Sequence, residues 1–223
     1  MVKSIVRFTT ACLVVAVSLA QSPTSEAAIF GQVSTAYTLD KGTNDVGGFV
    51  SVFEGSTLLF GQYRRGLFSK TDFGIQGGFI DPEAGDMGLA LGADVKFLLM
   101  QTDANTPFDL ALGPRFAYLN FDNSSLFTFG GSVVISRDYA LAQGSLAPYG
   151  AFNLRLENRS YDELLGHTAL AADAPNHIND SDTDFEMSGI AGARWDVSEL
   201  LDILGEIVFD RDIGFTIGLN FKL

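Results

Sequence analysis

After residue 28 the chain alternates. Apolar side chains recur at every second position in run after run, and turn residues separate the runs. The last run is the plainest. Ile213, Phe215, Ile217, Leu219, Phe221 and Leu223 interleave with Gly214, Thr216, Gly218, Asn220 and Lys222. The same period marks 32–39, 72–79, 88–97, 108–118, 127–136 and 150–157, and more loosely 187–197 and 203–210. Period two sends successive side chains to opposite faces of a strand. Helical periodicity is almost absent, so the pattern predicts an all-β chain.

Alternation does not say which solvent the apolar face meets. A strand on a soluble core has one apolar face too. The opposite face decides. It is rich in Gly, Ala and Ser and carries charges of both signs, which suits the confined interior of a small closed barrel. The runs are about 10 residues, the ~9–11 that a tilted transmembrane strand needs. The odd-numbered face of the last strand is therefore expected to meet lipid, with the even-numbered face lining a lumen. Tyr37, Phe79, Phe97, Phe108, Tyr118, Trp195, Phe209 and Phe221 fall near strand ends. They fit interfacial girdles, although aromatics favour strands in any setting.

Residues 47–66 read either as two short strands broken at Glu54-Gly55-Ser56 or as one long strand bulged near Gly55. Single-chain bacterial barrels have even strand counts, which favours one long strand and ten in all; eight and twelve are the neighbouring even counts. The expected fold is a closed up-and-down antiparallel transmembrane β-barrel. Periplasmic connections are expected near 65–70, 100–106, 137–146 and 198–201. Outer ones are expected near 40–46, 81–85, 120–124, 159–184 and 210–212.

The start of the chain supplies an address. Lys3 and Arg7 precede an apolar run from Phe8 to Ala20, 13 residues long and too short to span a bilayer. Ser25, Glu26 and Ala27 place small residues where a signal peptidase cuts. This predicts a leader over 1–27 and a barrel domain over 28–223. The one cysteine, Cys12, lies in the leader, so the exported domain has neither disulfides nor thiolate chemistry. The chain has 223 residues, a formal charge of -13 and only 18% charged residues. No Lys/Arg cluster stands out, which argues against nucleic acid as a partner.

With the leader, the alternating strands and a final strand carrying Phe215, Ile217, Leu219 and Phe221, the chain resembles the small bacterial outer-membrane β-barrel proteins. The resemblance covers everything past the leader. It implies the bacterial outer membrane as location, lipids and lipopolysaccharide as surroundings, and recognition of the last strand by barrel assembly machinery. Such proteins commonly end in an aromatic residue; this one ends in Leu223.

Candidate chemistry is sparse. His167 and His177 share the long outer connection, where zinc would want a third ligand in a fixed frame. Asp180, Asp182 and Asp184 alternate, yet an EF-hand count from Asp180 meets Phe185 at its sixth position and Ala191 at its twelfth, instead of Gly and Glu. They remain a weak Ca²⁺ or Mg²⁺ candidate, and no cofactor is expected. Asp162, His167, Asp173 and His177 have the residue types of a barrel protease without its spacing. The lumen is more informative. Asp94, Lys96, Arg115, Asn153, Arg155, Glu157, Arg194 and Glu206 should point inward as a ladder of ion pairs, with Arg194 facing Glu206, or as a selectivity filter. The first functional expectation is a non-enzymatic outer-membrane barrel: a narrow small-solute pore, or a structural barrel presenting surface loops. The alternatives are a barrel enzyme acting on lipid or peptide and a soluble lipocalin-like carrier.

Overall fold

The computed structural model describes residues 30–82, 86–121, 124–161 and 181–223. The expected leader over 1–27 lies outside them. Among the described residues the regular structure is strand, and no helix is long and apolar enough to cross a membrane. The strands, in chain order, are β1 (Asn44–Phe53), β2 (Ser56–Phe68), β3 (Thr71–Pro82), β4 (Gly88–Met100), β5 (Asp109–Phe121), β6 (Ser124–Ser136), β7 (Tyr139–Ala140), β8 (Ser145–Tyr161), β9 (Ser181–Asp196), β10 (Leu201–Phe209) and β11 (Ile213–Lys222). All pairings are antiparallel between neighbours, β6 bonds β8, and β1 bonds β11. Ten strands thus form a closed ring, and two-residue β7 is a short addition against β8. Closure removes every sheet edge over the height of the ring.

The wall sorts its side chains as period two requires. Along β11, Ile213, Phe215, Ile217, Leu219, Phe221 and terminal Leu223 are exposed on the outside, while Gly214, Thr216, Gly218 and Asn220 are buried inside. The outer surface continues through Val50, Leu59, Ile75, Leu91, Phe116, Phe129, Leu154 and Ile207. A soluble monomer rarely exposes an apolar patch beyond a few hundred Å², and here the apolar band runs around the whole ring. The closed ring therefore carries the outer apolar band that a transmembrane barrel turns to lipid. Phe79, Phe97, Trp195 and Phe221 stand exposed on that outer face.

Two expectations about the strands are corrected. Residues 47–66 are not one bulged strand. Phe53 pairs with Ser56, and Glu54 and Gly55 form a two-residue turn in which Gly55 has φ +77°. Only glycine takes that angle without strain. Residues 32–39 are not a strand of the wall at all. They form a strap inside the lumen, with Val33 and Ala36 fully buried and Gln32, Ser34, Thr35 and Thr38 nearly so. Tyr37 belongs to this strap and not to an interfacial girdle. The ten-strand total holds because one strand was expected too many and one too few.

The ends of the barrel follow. Asn44 and Lys222 lie at one end, together with the connections at 69–70, 101–108, 137–144 and 197–200. The expected outer connection at 40–46 is at this terminal end too, and the far-end turn in its place is 54–55. The other far-end connections span 83–87, 122–123, 162–180 and 210–212. The long far connection is shorter than expected, because β8 runs on to Tyr161 and β9 begins at Ser181. β10 reaches only to Gly189 of β9, so β9 stands above β10, while β8 stays paired with β6 as far as Tyr161.

Candidate functional site

The lumen is the site. Its geometry begins with small residues. A Cβ on Gly92 would lie 2.9 Å from the Phe30 ring, and one on Gly66 would collide with the Asp40 carbonyl. These inward glycines leave the space that the strap fills. From a turn at the terminal rim, where the Gly42 N–H bonds the Gly66 carbonyl at 2.8 Å, residues 40 to 30 climb to mid-height. There Phe30 meets Phe60 edge-on at 5.1 Å, and Phe60 stacks on Phe49 at 5.1 Å. Val33, Leu58, Leu119, Leu126 and Leu204 belong to the same apolar cluster.

Charged wall residues hold the strap by its main chain. Lys96 Nζ donates to the carbonyls of Thr35 at 2.7 Å and Tyr37 at 2.8 Å. Arg115 donates to the carbonyls of Gly31 at 2.8 Å and Phe30 at 3.2 Å. In the other direction, Glu206 accepts the Val33 N–H, Ser136 Oγ the Ala36 N–H at 3.1 Å, and Asp72 the Leu39 N–H at 3.1 Å. Tyr149 donates to the same Glu206 oxygen at 2.6 Å. Such bonds supply the strap's backbone groups with the partners that burial makes obligatory. All but the Ser136 bond have an ion on one side, which makes them stronger than neutral bonds.

Below and above the strap the wall pairs its own charges. Arg64 bridges Asp72 and, at 2.7 Å, Asp94; Lys96 lies 3.4 Å from Asp72. Toward the far end Arg155 bonds Glu157 at 2.6 Å and lies 2.9 Å from Asp210, while Arg159 and Arg211 also approach Glu157. Arg211, in the far turn, bonds Glu186, and that bond raises its pKa above the ordinary guanidinium value. At the terminal mouth Arg194 pairs with Asp196 at 2.8 Å, and Lys222 with Asp202 at 2.7 Å.

The candidate residues are therefore distributed over three levels. Asp94, Lys96, Arg115 and Glu206 surround the strap. Asn153, Arg155 and Glu157 lie beyond it. Arg194 is at the terminal mouth, and it does not face Glu206: the register sets Arg194 opposite Leu204 and Glu206 opposite Gly192. The 197–200 turn places Asp202 across from Asp196 and offsets the expected pair. Asp182 and Asp184 are exposed near the far end of β9; Asp180 falls outside the described residues. So do Asp162, His167, Asp173 and His177. No group of three or more metal-ligating side chains occurs among the described residues.

Sequence reasoning missed the strap, Arg64, Asp72, Asp202 and Tyr149. Once the turn at Gly55 is recognised, the even positions of β2 (Leu58, Phe60, Gln62, Arg64) read as inward, and Arg64 is legible. The strap gave no such signal, for its alternation is that of a strand. Beside Phe30 a cavity of about 50 Å³ is lined by Gln76, Arg115, Thr128, Asn153 and Arg155. It has room for a few water molecules.

No family model matches this chain, and no curated protein matches it. Among solved structures it is similar to the N-terminal β-barrel domain of Pseudomonas aeruginosa OprF, at 12% identity and a TM-score of 0.39 over 83% of this chain and all of that one. It is similar to the outer membrane protease OmpT from Escherichia coli, at 11% identity and a TM-score of 0.42 over 82% of this chain and 94% of that one. It is similar to the KdgM porin at 7% identity and a TM-score of 0.40, over 79% of this chain and 98% of that one.

Proposed function

We propose that this chain is a non-enzymatic barrel of the bacterial outer membrane, structural in role, that presents its far-end loops while its own N-terminal strap closes the lumen. The observation that carries the reading is the strap: residues 30–40 occupy the lumen from its terminal rim to mid-height. A ten-strand barrel is narrow to begin with, and a chain segment inside it takes the room a solute would need. The apolar band supports a lipid environment, with lipids and lipopolysaccharide around it. The exposed alternation of β11 fits the role of strand read by assembly machinery. In this orientation the terminal end faces the periplasm, and the far ends of β8 and β9, with their connection, face outward.

The test is planar-bilayer recording of the refolded chain from Ala28. The reading expects inserted barrels that are silent at moderate voltage. Steady single-channel steps from every inserted barrel would overturn it in favour of an open pore. Replacement of His167 and His177 by Ala is expected to leave cell-surface display and fitness unchanged. Loss of a lipid- or peptide-modifying activity in that variant would overturn the non-enzymatic part.

A further inference from the structure

We infer that the strap is a displaceable gate and that the lumen it vacates is a cation-selective channel. This rests on the closed-lumen reading and adds what closes the lumen and what passes when it opens.

Three observations support a part that can leave. First, the ring is complete without it. β1–β11 and β6–β8 pairing closes the wall, and residues 30–39 form no ladder with any strand. Removing them breaks no sheet bond. Second, the anchors are ionic or hydroxyl side chains that bond backbone groups: Lys96, Arg115, Glu206, Asp72 and Ser136. Water entering an opened lumen supplies the same partners, so exchange of strap for water leaves no buried group unpaired. Third, the strap is tethered at an exposed hinge and held in a costly conformation. Gly42 has φ +89° at the rim. Inside, Val33 has φ +40°, a region that β-branched residues avoid, and its N–H is held by Glu206. Release relieves that strain.

The charges left behind set selectivity. At mid-height the freed groups balance, Lys96 and Arg115 against Asp72 and Glu206. At the terminal mouth they do not: Asp45, Asp109, Asp196 and Asp202 are inward or partly so, against Arg194 and Lys222. Net negative charge around a narrow low-dielectric opening concentrates cations and repels anions.

The experiment uses five forms of the chain from Ala28, and one further derivative of the deletion, in planar bilayers and vesicles, each checked for folding by heat-modifiable gel mobility. These are the unaltered chain, a deletion of residues 30–39, the pair Ala36→Cys with Ser136→Cys, and Ala36→Cys with or without Lys96→Met. The deletion is expected to conduct, with a reversal potential in a KCl gradient that shows K⁺ preferred over Cl⁻. Adding Asp45→Asn and Asp202→Asn should reduce that preference. At voltages high enough to open the unaltered chain, the disulfide-locked pair should stay silent, and reduction should restore the opening. Ala36 is fully buried, so Cys at this position should react slowly with a membrane-impermeant maleimide. Lys96→Met should speed that reaction about tenfold or more, the factor for losing hydrogen bonds to one charged group. A folded, inserted deletion that is silent overturns the gate and leaves the closed-barrel reading standing. If the deletion does not fold, unchanged maleimide protection in the Lys96→Met variant overturns it. Anion preference overturns the selectivity. Equal, lock-insensitive conductance from the unaltered chain overturns the closed reading itself.

Discussion

Arg64→Met is the sharpest perturbation of the lumen. Arg64 is 2% exposed and is shared by two carboxylates, Asp72 and Asp94. Methionine keeps much of the stem volume and removes the charge. Asp72, itself fully buried, still has Lys96 Nζ at 3.4 Å and the Leu39 N–H at 3.1 Å. Asp94 is left with a single amide donor, Gln76 Nε2 at 2.8 Å. Removing one partner of a buried pair costs about 3–5 kcal/mol. Lys96 takes up part of the loss at Asp72, so the lower half of that range, roughly 3–4 kcal/mol, is expected.

The assay is built into the chain. Its one tryptophan, Trp195, stands on the exposed outer face of β9, where unfolding from vesicles should change its emission. With a urea slope of ~2 kcal/mol/M, the midpoint should fall by about 1.5–2 M. Asp94→Asn in the same background should restore much of it, because the charge left unpaired is then gone, and the cycle should show a coupling of ~1–3 kcal/mol. A midpoint within ~0.3 M of the unaltered chain, or strictly additive substitutions, would refute the argument that this lumen is a dry place where charges depend on one another.

Other outcomes follow from the same geometry. Ile217→Arg, in the middle of β11 and 63% exposed, should destabilise the membrane-inserted barrel by ~2–4 kcal/mol in vesicle unfolding. No effect, with a monomer soluble without detergent, would restore the carrier reading. Gly92→Leu drives a side chain into the position of the Phe30 ring; limited proteolysis should then cut the strap while the wall resists, and an uncut strap would contradict the placement. Asp103, in the terminal-end connection, accepts the N–H groups of Asn105 and Thr106 at 2.7 Å each, which lowers its pKa. A lowered carboxyl pKa makes this turn most ordered at higher pH, and its order is lost as pH falls through that value. NMR titration of the Asn105 amide checks this, and a midpoint at or above the ordinary aspartate value would count against it.

How much was readable in the sequence depends on what each residue had to satisfy. The wall was readable because lipid and lumen impose opposite demands on alternate positions, and Phe215, Ile217 and Leu219 against Thr216 and Asn220 record that conflict. The turn at Glu54-Gly55 was readable in principle: a glycine between two alternating runs is a hairpin signal. An even strand count imposed from outside masked it. The strap was not readable by any periodicity rule. Val33 and Thr35 alternate with Gln32 and Ser34, yet both sets are buried, because a segment inside a lumen has wall on all sides. Alternation reports that two faces differ in chemistry; it does not report whether either belongs to a sheet. What separates strap from strand is where the backbone donors and acceptors go. Those of β11 go to β1 and β10, whereas those of the strap go to Lys96, Arg115, Glu206, Ser136 and Asp72. These partners lie up to 173 positions away in the chain. The inward charges were legible one by one, but their common object was not. A ladder of ion pairs and a clamp on a peptide place the same residues in the same lumen, and only the contacts distinguish them.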